Sequence, residues 1–90
     1  MSKKKIQTSD APAAIGPYSQ AIEAGGFIFY SGQIPLDPQS GTVVEGGIVE
    51  QTRQVILNMK AVLHASGRDF SDIVKTTIYL TDLTDFATVT

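Results

Sequence analysis

The chain has 90 residues, a net charge of −2 at pH 7, 42% hydrophobic residues and 18% charged ones, figures that describe one small globular domain rather than a disordered segment. The absence of cysteine excludes a disulfide framework and any thiolate metal site, and the acidic balance argues against a dedicated nucleic-acid surface. No apolar run is long enough to span a membrane and no signal-like start is present, so a cytoplasmic location is the default expectation.

A core this small only about offsets the roughly 1.5 kcal/mol per residue that ordering the chain costs. Oligomerisation is therefore the expected way of adding buried apolar area.

In chain order, Lys3 to Thr8 reads as a first strand in which Lys3-Lys4-Lys5 blunts an exposed edge, with Ile6 as its one strong apolar contributor. Ser9 to Pro12 is a loop. Two apolar-alternating runs follow, Tyr18 to Ala24 and Phe27 to Ser31, joined by Gly25-Gly26. A Gly-Gly pair in that position predicts a tight β-hairpin, because both central residues need φ > 0. The outer ends of such a hairpin lie side by side, which brings Tyr18 near Ser31 and Gly32. A phenol, a hydroxyl and an approachable backbone then share one rim of the sheet, the best candidate pocket wall in the sequence.

On the second strand Phe27, Phe29 and Ser31 share one face while Ile28 and Tyr30 share the other. With large apolar groups on both faces, one is expected to pack on helices and the other on a partner subunit. Asp37 to Gly41 is a turn, and Thr42 to Val44 a short strand interrupted by Gly46-Gly47. Ile48 to Ser66 is the clearest helix. Thr52, Val55, Ile56, Met59, Val62 and Leu63 form its apolar stripe, Glu50 suits its first turn, and Gly67 ends it. His64, the one histidine, has no Ser or Asp at an informative spacing and reads as a helix-end residue.

Asp72 to Thr81 alternates as a strand, which makes the connection through the long helix a right-handed β-α-β crossover. Asp82 is placed as an N-cap with Asp85 three residues on. The helix that starts there reaches Thr90 without a stop signal, so the chain reads as one domain over 1–90 that is incomplete at its C-terminal end.

The residues alone hold no metal-ligand cluster, phosphate loop or nucleophile elbow. They do hold two longer motifs in order, Ile15-Gly16-Pro17-Tyr18-Ser19-Gln20-Ala21 and Ser31-Gly32-Gln33-Ile34-Pro35-Leu36-Asp37-Pro38, followed by Asp72 to Thr77 and Asp85 to Val89. Together these strongly resemble the RidA family of YjgF-like proteins along nearly the whole chain.

The resemblance implies an α+β, chorismate-mutase-like fold with helices on one face of the sheet, assembled as a homotrimer around a central barrel. It implies hydrolytic deamination of reactive 2-imino and 2-enamino acids to 2-oxo acids and ammonia at intersubunit clefts, with no cofactor and no metal. The substrates would be supplied by pyridoxal-phosphate-dependent dehydratases. A non-enzymatic, small-carboxylate-binding regulatory trimer is the alternative, and RNA cleavage or translation inhibition a more distant third.

By motif match Tyr18 would be catalytic, Ser31 and Gly32 would bind substrate, and Thr90 would do so weakly, since it stands where relatives often carry Asn. The resemblance also implies a substrate-binding arginine and a water-associated glutamate at positions beyond Thr90. Arg53 and Arg68 match neither.

Overall fold

The computed structural model describes residues 2–90. Three short antiparallel strands, β1 (Lys4–Ile6), β2 (Ala21–Ala24) and β3 (Phe27–Tyr30), pair in the order β1-β2-β3, and the long helix α1 (Ile48–Ala65) lies on one face. Gly25 and Gly26 turn the β2–β3 hairpin at φ of +60° and +82°, the pair of positive values a two-residue type I′ turn needs.

Ile6, Ala21 and Tyr30 stand opposite one another in the ladder, and so do Lys5, Ile22 and Phe29. The first set faces the helix: Ile6 and Ala21 are buried with Val62 of α1 and Ala11, and Ile28 and Ala61 pack against them. The second set is open, with Phe27 and Phe29 more than half exposed and their rings tilted together at 6.4 Å.

Helix α1 starts and stops where its ends can be satisfied. The Glu50 carboxylate accepts from the Gly47 N–H at 3.0 Å, using one of the donors a helix start leaves unpaired. At the other end Gly67, at φ +75°, donates to the His64 carbonyl, and the Arg68 N–H reaches back to that of Leu63. Those two bonds are the Schellman pattern. His64 is exposed in the last turn, as expected.

The inward line of α1 differs from the expected stripe. Ile56 is 46% exposed, whereas Asn58 is 1% exposed. The asparagine is admitted because its amide is fully used: Nδ2 donates to the carbonyls of Leu36 and Ile34 at 2.9 and 3.3 Å, and Oδ1 accepts from Gln54. Thr42 to Val44 forms one bridge, Val43 against Leu36, instead of a strand. The first strand is also shorter than the expected span of Lys3 to Thr8.

The largest departure lies after α1. The span expected as a strand, Asp72 to Thr81, belongs to no ladder: Asp72 closes a 3₁₀ turn and 73–80 take no regular structure, with Val74 85% and Tyr79 92% exposed. The expected β-α-β crossover is therefore not formed among the described residues. Alternation prepares a segment for a sheet, but a strand exists only where a neighbour accepts its backbone bonds, and none of β1 to β3 does so.

Two carboxylates organise the turns on either side of this segment. Asp69 accepts from both the hydroxyl and the N–H of Ser71 and caps a 3₁₀ turn at Phe70–Asp72, while Asp72 bonds back to the Asp69 N–H. Asp82 accepts in the same way from Thr84 at Leu83–Asp85, the turn that leads into α2 (Phe86–Val89). The expected N-cap at Asp82 is thus present on a 3₁₀ turn, and its partner is Thr84 rather than Asp85.

Hydrogen bonds from Ser71 hold the Asp69 carboxyl below its usual value of 3.8, and those from Thr84 do the same for Asp82. A lowered folded-state value adds stability that is complete above the ordinary carboxylate range and is lost as pH falls through the lowered one. Side-chain NMR titration of both groups should give midpoints below 3.8, with the Ser71 and Thr84 amide signals moving in step. Midpoints at or above that value would show that the caps do not form.

Candidate functional site

The hairpin's outer ends meet as their connectivity requires. The Ser31 N–H donates to the Gln20 carbonyl at 3.0 Å, extending the ladder one step past β3, and the Ser31 hydroxyl donates to the Ser19 carbonyl. Pro17, Tyr18, Ser19, Ile22, Phe29, Tyr30 and Ser31 line a cleft of about 430 Å³ at this rim.

Tyr18 does not sit inside the first hairpin strand, as expected from the alternation. It lies three residues ahead of β2 in a tight turn, closed by its N–H on the Gly16 carbonyl at 2.9 Å. Gly16 holds φ at +116° and its α-carbon faces the Tyr18 ring, a Cβ there falling 3.8 Å from the ring edge. The phenol oxygen accepts from the Ile15 N–H at 3.2 Å. Tyr18 is nevertheless 52% exposed, so one residue both staples its turn and lines the cleft.

The other residues singled out from the sequence fall in two places. Gly32 is exposed and follows Ser31 directly, next to the cleft but outside its lining. Thr90 is not brought to this cleft. It closes α2, with its hydroxyl donating to the Phe86 carbonyl at 2.9 Å.

Two buried amides, neither singled out from the sequence, hold the segments that flank the cleft. Gln20, 4% exposed, accepts from the Thr8 N–H at 2.6 Å and donates to the carbonyls of Thr8 and Pro12 at 3.0 and 2.8 Å, with Ala11 at 3.4 Å. It thereby pins the loop that leads into Ile15 to Tyr18. Asn58 pins Ile34 and Leu36, the segment leaving Ser31 and Gly32. A polar residue in an alternating or helical pattern reads as solvent-facing, so neither gave a signal. Only their backbone partners, distant in sequence, place them inside.

The cleft wall itself is apolar and hydroxylic. None of its lining residues carries an acid, a base or a cation at neutral pH. Among the described residues no group of three or more His, Cys, Asp or Glu could hold a metal ion, and no helix is long and apolar enough to cross a membrane. A second groove of about 280 Å³, lined by Val49, Thr52, Arg53, Ile56, Leu57 and Thr88, lies between α1 and α2. It contains none of the predicted site residues Tyr18, Ser31, Gly32 and Thr90.

Comparison with known proteins places this geometry in context. The profile of a family described as endoribonuclease L-PSP matches residues 8–90. A RutC family protein of Pyrococcus horikoshii is 55% identical over 85 residues, which is 94% of this chain and 68% of that protein. The 2-iminobutanoate/2-iminopropanoate deaminase of Mus musculus is 52% identical over 87 residues, 97% of this chain and 64% of that protein. The crystal structure of a protein of the conserved Rid family from Yersinia pestis superposes with a TM-score of 0.94 at 49% identity, covering 98% of this chain and 70% of that one. The chain thus spans about two thirds of the length of the proteins it matches.

Proposed function

The chain belongs to the endoribonuclease L-PSP family, which includes the Rid and RutC proteins, and from that premise we propose that it forms one wall of a cleft for the hydrolytic deamination of reactive 2-imino and 2-enamino acids. The observation that carries this reading is the meeting of Tyr18 and Ser31 at one cleft, in a chain 52% identical to a 2-iminobutanoate/2-iminopropanoate deaminase.

In this reaction water adds to C2 of the iminium, and the carbon–nitrogen bond then breaks to leave a 2-oxo acid and ammonia. The iminium is already electrophilic, so the protein's work is to orient it and order the water. The hydroxyls of Tyr18 and Ser31 suit that task, and Ile22 and Phe29 give the cleft an apolar floor. Dehydratases that use pyridoxal phosphate release such imines and are the proposed source of substrate.

The substrate carboxylate needs a cation, and the wall offers none. This supports a cleft completed by another copy, as in a homotrimer. The open face with Phe27 and Phe29 points the same way, as does the total accessible area of 6667 Å². A monomer of this mass exposes about 5,100 Å², and the excess of roughly 1,600 Å² is about twice the ~800 Å² that one partner contributes to a standard interface, as a subunit with two neighbours would need.

The test is ammonia release from freshly generated 2-iminobutanoate, alongside the mass in solution. The expected results are release above the spontaneous rate and three times the 9.6 kDa of one chain. Tyr18→Phe should lower the rate by about one to two orders of magnitude if the phenol orders the reacting groups; an unchanged rate would reduce Tyr18 to its structural role at Ile15.

One observation favours a second reading, that of a small-carboxylate-binding regulatory trimer: no carboxylate, imidazole or amine lines the wall. Binding of 2-oxobutyrate without ammonia release would select it. RNA cleavage is named in the family's description, and the net charge of −2 argues against it.

A further inference from the structure

A strand offers hydrogen bonds on both sides, because successive backbone groups point in opposite directions. In β3 one side is spent and the other is open. The Ser31 N–H donates to the Gln20 carbonyl, and the register sets Phe29 opposite Ile22 and Phe27 opposite Ala24. The alternation of an antiparallel ladder then gives Phe27, Phe29 and Ser31 to β2. The N–H and carbonyl groups of Ile28 and Tyr30 point away from it, along an edge at which the order β1-β2-β3 ends.

The complementary deficit stands after α1. Among the described residues the backbone of 74–81 takes part in no backbone hydrogen bond, although its side chains alternate as a strand requires. Val74, Thr76, Ile78 and Leu80 fall on one parity, and Lys75, Thr77 and Tyr79 on the other. Val74, Ile78 and Tyr79 are all exposed. One copy therefore carries an edge without a strand and a strand sequence without an edge, and does not join them.

We propose that residues 74–81 of one copy add as a fourth strand to the β3 edge of a second copy. Burial fixes the side: Val74, Ile78 and Leu80 lie beside Ile28 and Tyr30, on the face that packs against α1, because a slip of one residue would put Lys75 there instead. Lys75, Thr77 and Tyr79 then stand beside Phe27 and Phe29 on the open face, where Tyr79 can make an aromatic cross-strand contact.

Each copy gives one segment and receives another, so the contact is head-to-tail and every copy has two neighbours. The accessible area fits this count. It exceeds that of a monomer of this mass by roughly 1,600 Å², or about 800 Å² for each neighbour. Three copies joined in this way close a ring. The inference thus supplies the joint of the trimer proposed above; it rests on that assembly for the number of copies and is independent of the deaminase activity.

Thr76→Pro and Thr77→Pro introduced together test the joint. Successive N–H groups alternate in direction, so the pair removes whichever of the two faces β3, in a segment whose backbone bonds nothing within its own copy. Sedimentation and amide hydrogen exchange of the full chain are the measurements. The unaltered chain should run at three times 9.6 kDa, and the double variant at the mass of one chain. The Ile28 and Tyr30 amides should exchange about tenfold faster or more in the variant, while Ile6, Ala21 and Val62 exchange as before. Dilution of the unaltered chain should free Ile28, Tyr30 and 74–81 together.

Should the double variant fail to fold, which the Val62 amide reports, Ile78→Lys decides: it keeps the backbone, places a charge on the α1 side, and should weaken association about tenfold or more. An assembly that survives a folded double variant, or Ile78→Lys, overturns the proposal. So do Ile28 and Tyr30 amides that exchange freely in the assembled chain, which would put the interface elsewhere. Protection of those amides in the diluted single copy overturns it as well, since the chain's own segment would then supply the fourth strand. A single-chain mass for the unaltered protein at every concentration overturns it together with the trimer. Absence of ammonia release with the joint intact fails the deaminase reading and leaves this one standing.

Discussion

Gln20→Ala should destabilise the domain by about 3 kcal/mol, because it strips a buried amide from backbone groups that then have no partner. Gln20 is 4% exposed, and its side chain bonds the N–H and carbonyl of Thr8 as well as the Pro12 carbonyl within 3.0 Å. Each buried polar group left unsatisfied costs about 1–3 kcal/mol, with water entry recovering part of the sum. For a domain of this size the loss corresponds to a fall in Tm on the order of 15 °C.

Gln20→Glu separates bonding from volume. A carboxylate can still accept from the Thr8 N–H, but it would face the carbonyls of Thr8, Ala11 and Pro12 with no hydrogen to give. It should therefore be no more stable than Gln20→Ala at neutral pH, despite its closer shape. Thermal unfolding of the two variants beside the parent chain measures this. A Gln20→Glu variant close to the parent would mean that the donor side of the amide contributes little.

The local consequence matters as much as the global one. Gln20 is adjacent to Ser19, whose carbonyl holds the Ser31 hydroxyl, and it pins the loop that delivers Ile15 to Tyr18. Both variants should raise amide exchange from Thr8 to Tyr18 before they affect α1.

Asn58→Asp should be of similar size, about 3 kcal/mol at neutral pH, since it turns a donor into a buried charge facing two carbonyls. Asn58 is 1% exposed and donates to Leu36 and Ile34, 22 and 24 residues away in the sequence. Asn58→Leu keeps an apolar volume there but leaves the same carbonyls without a donor, at about 2 kcal/mol. The two should diverge with pH. Burial raises the pKa of the introduced carboxyl, so in mild acid the aspartate variant gains a hydrogen and can donate to one carbonyl again, while the leucine variant cannot respond. Urea unfolding at neutral pH and at pH 4 reads the difference. Parallel changes in the two variants would show that the loop carbonyls find other partners, and that Ile34 to Leu36 is held by something else.

These two residues also mark where reading the sequence stops. Gly25-Gly26 was legible as a hairpin turn because the requirement is local: two consecutive residues at positive φ, and glycine in both places. The ends of α1 were legible for the same reason, through Glu50 at the start and Gly67 beyond the end. The motif residues Tyr18 and Ser31 could be brought together on paper because a two-residue turn leaves an antiparallel pair no other arrangement. The phenol's tie to Ile15 was not legible. It depends on Tyr18 standing outside β2 in a turn that the alternating pattern conceals.

What composition, periodicity and turn chemistry determined by themselves is the set of elements whose bonds close within a few residues, and with them the place of the cleft wall. Tertiary structure alone decided which polar side chains are buried, because Gln20 and Asn58 are admitted to the interior by carbonyls far along the chain. It decided the fate of Asp72 to Thr81 as well. A helix satisfies its own backbone, whereas a strand borrows its satisfaction from a neighbour, and no alternation of side chains supplies one.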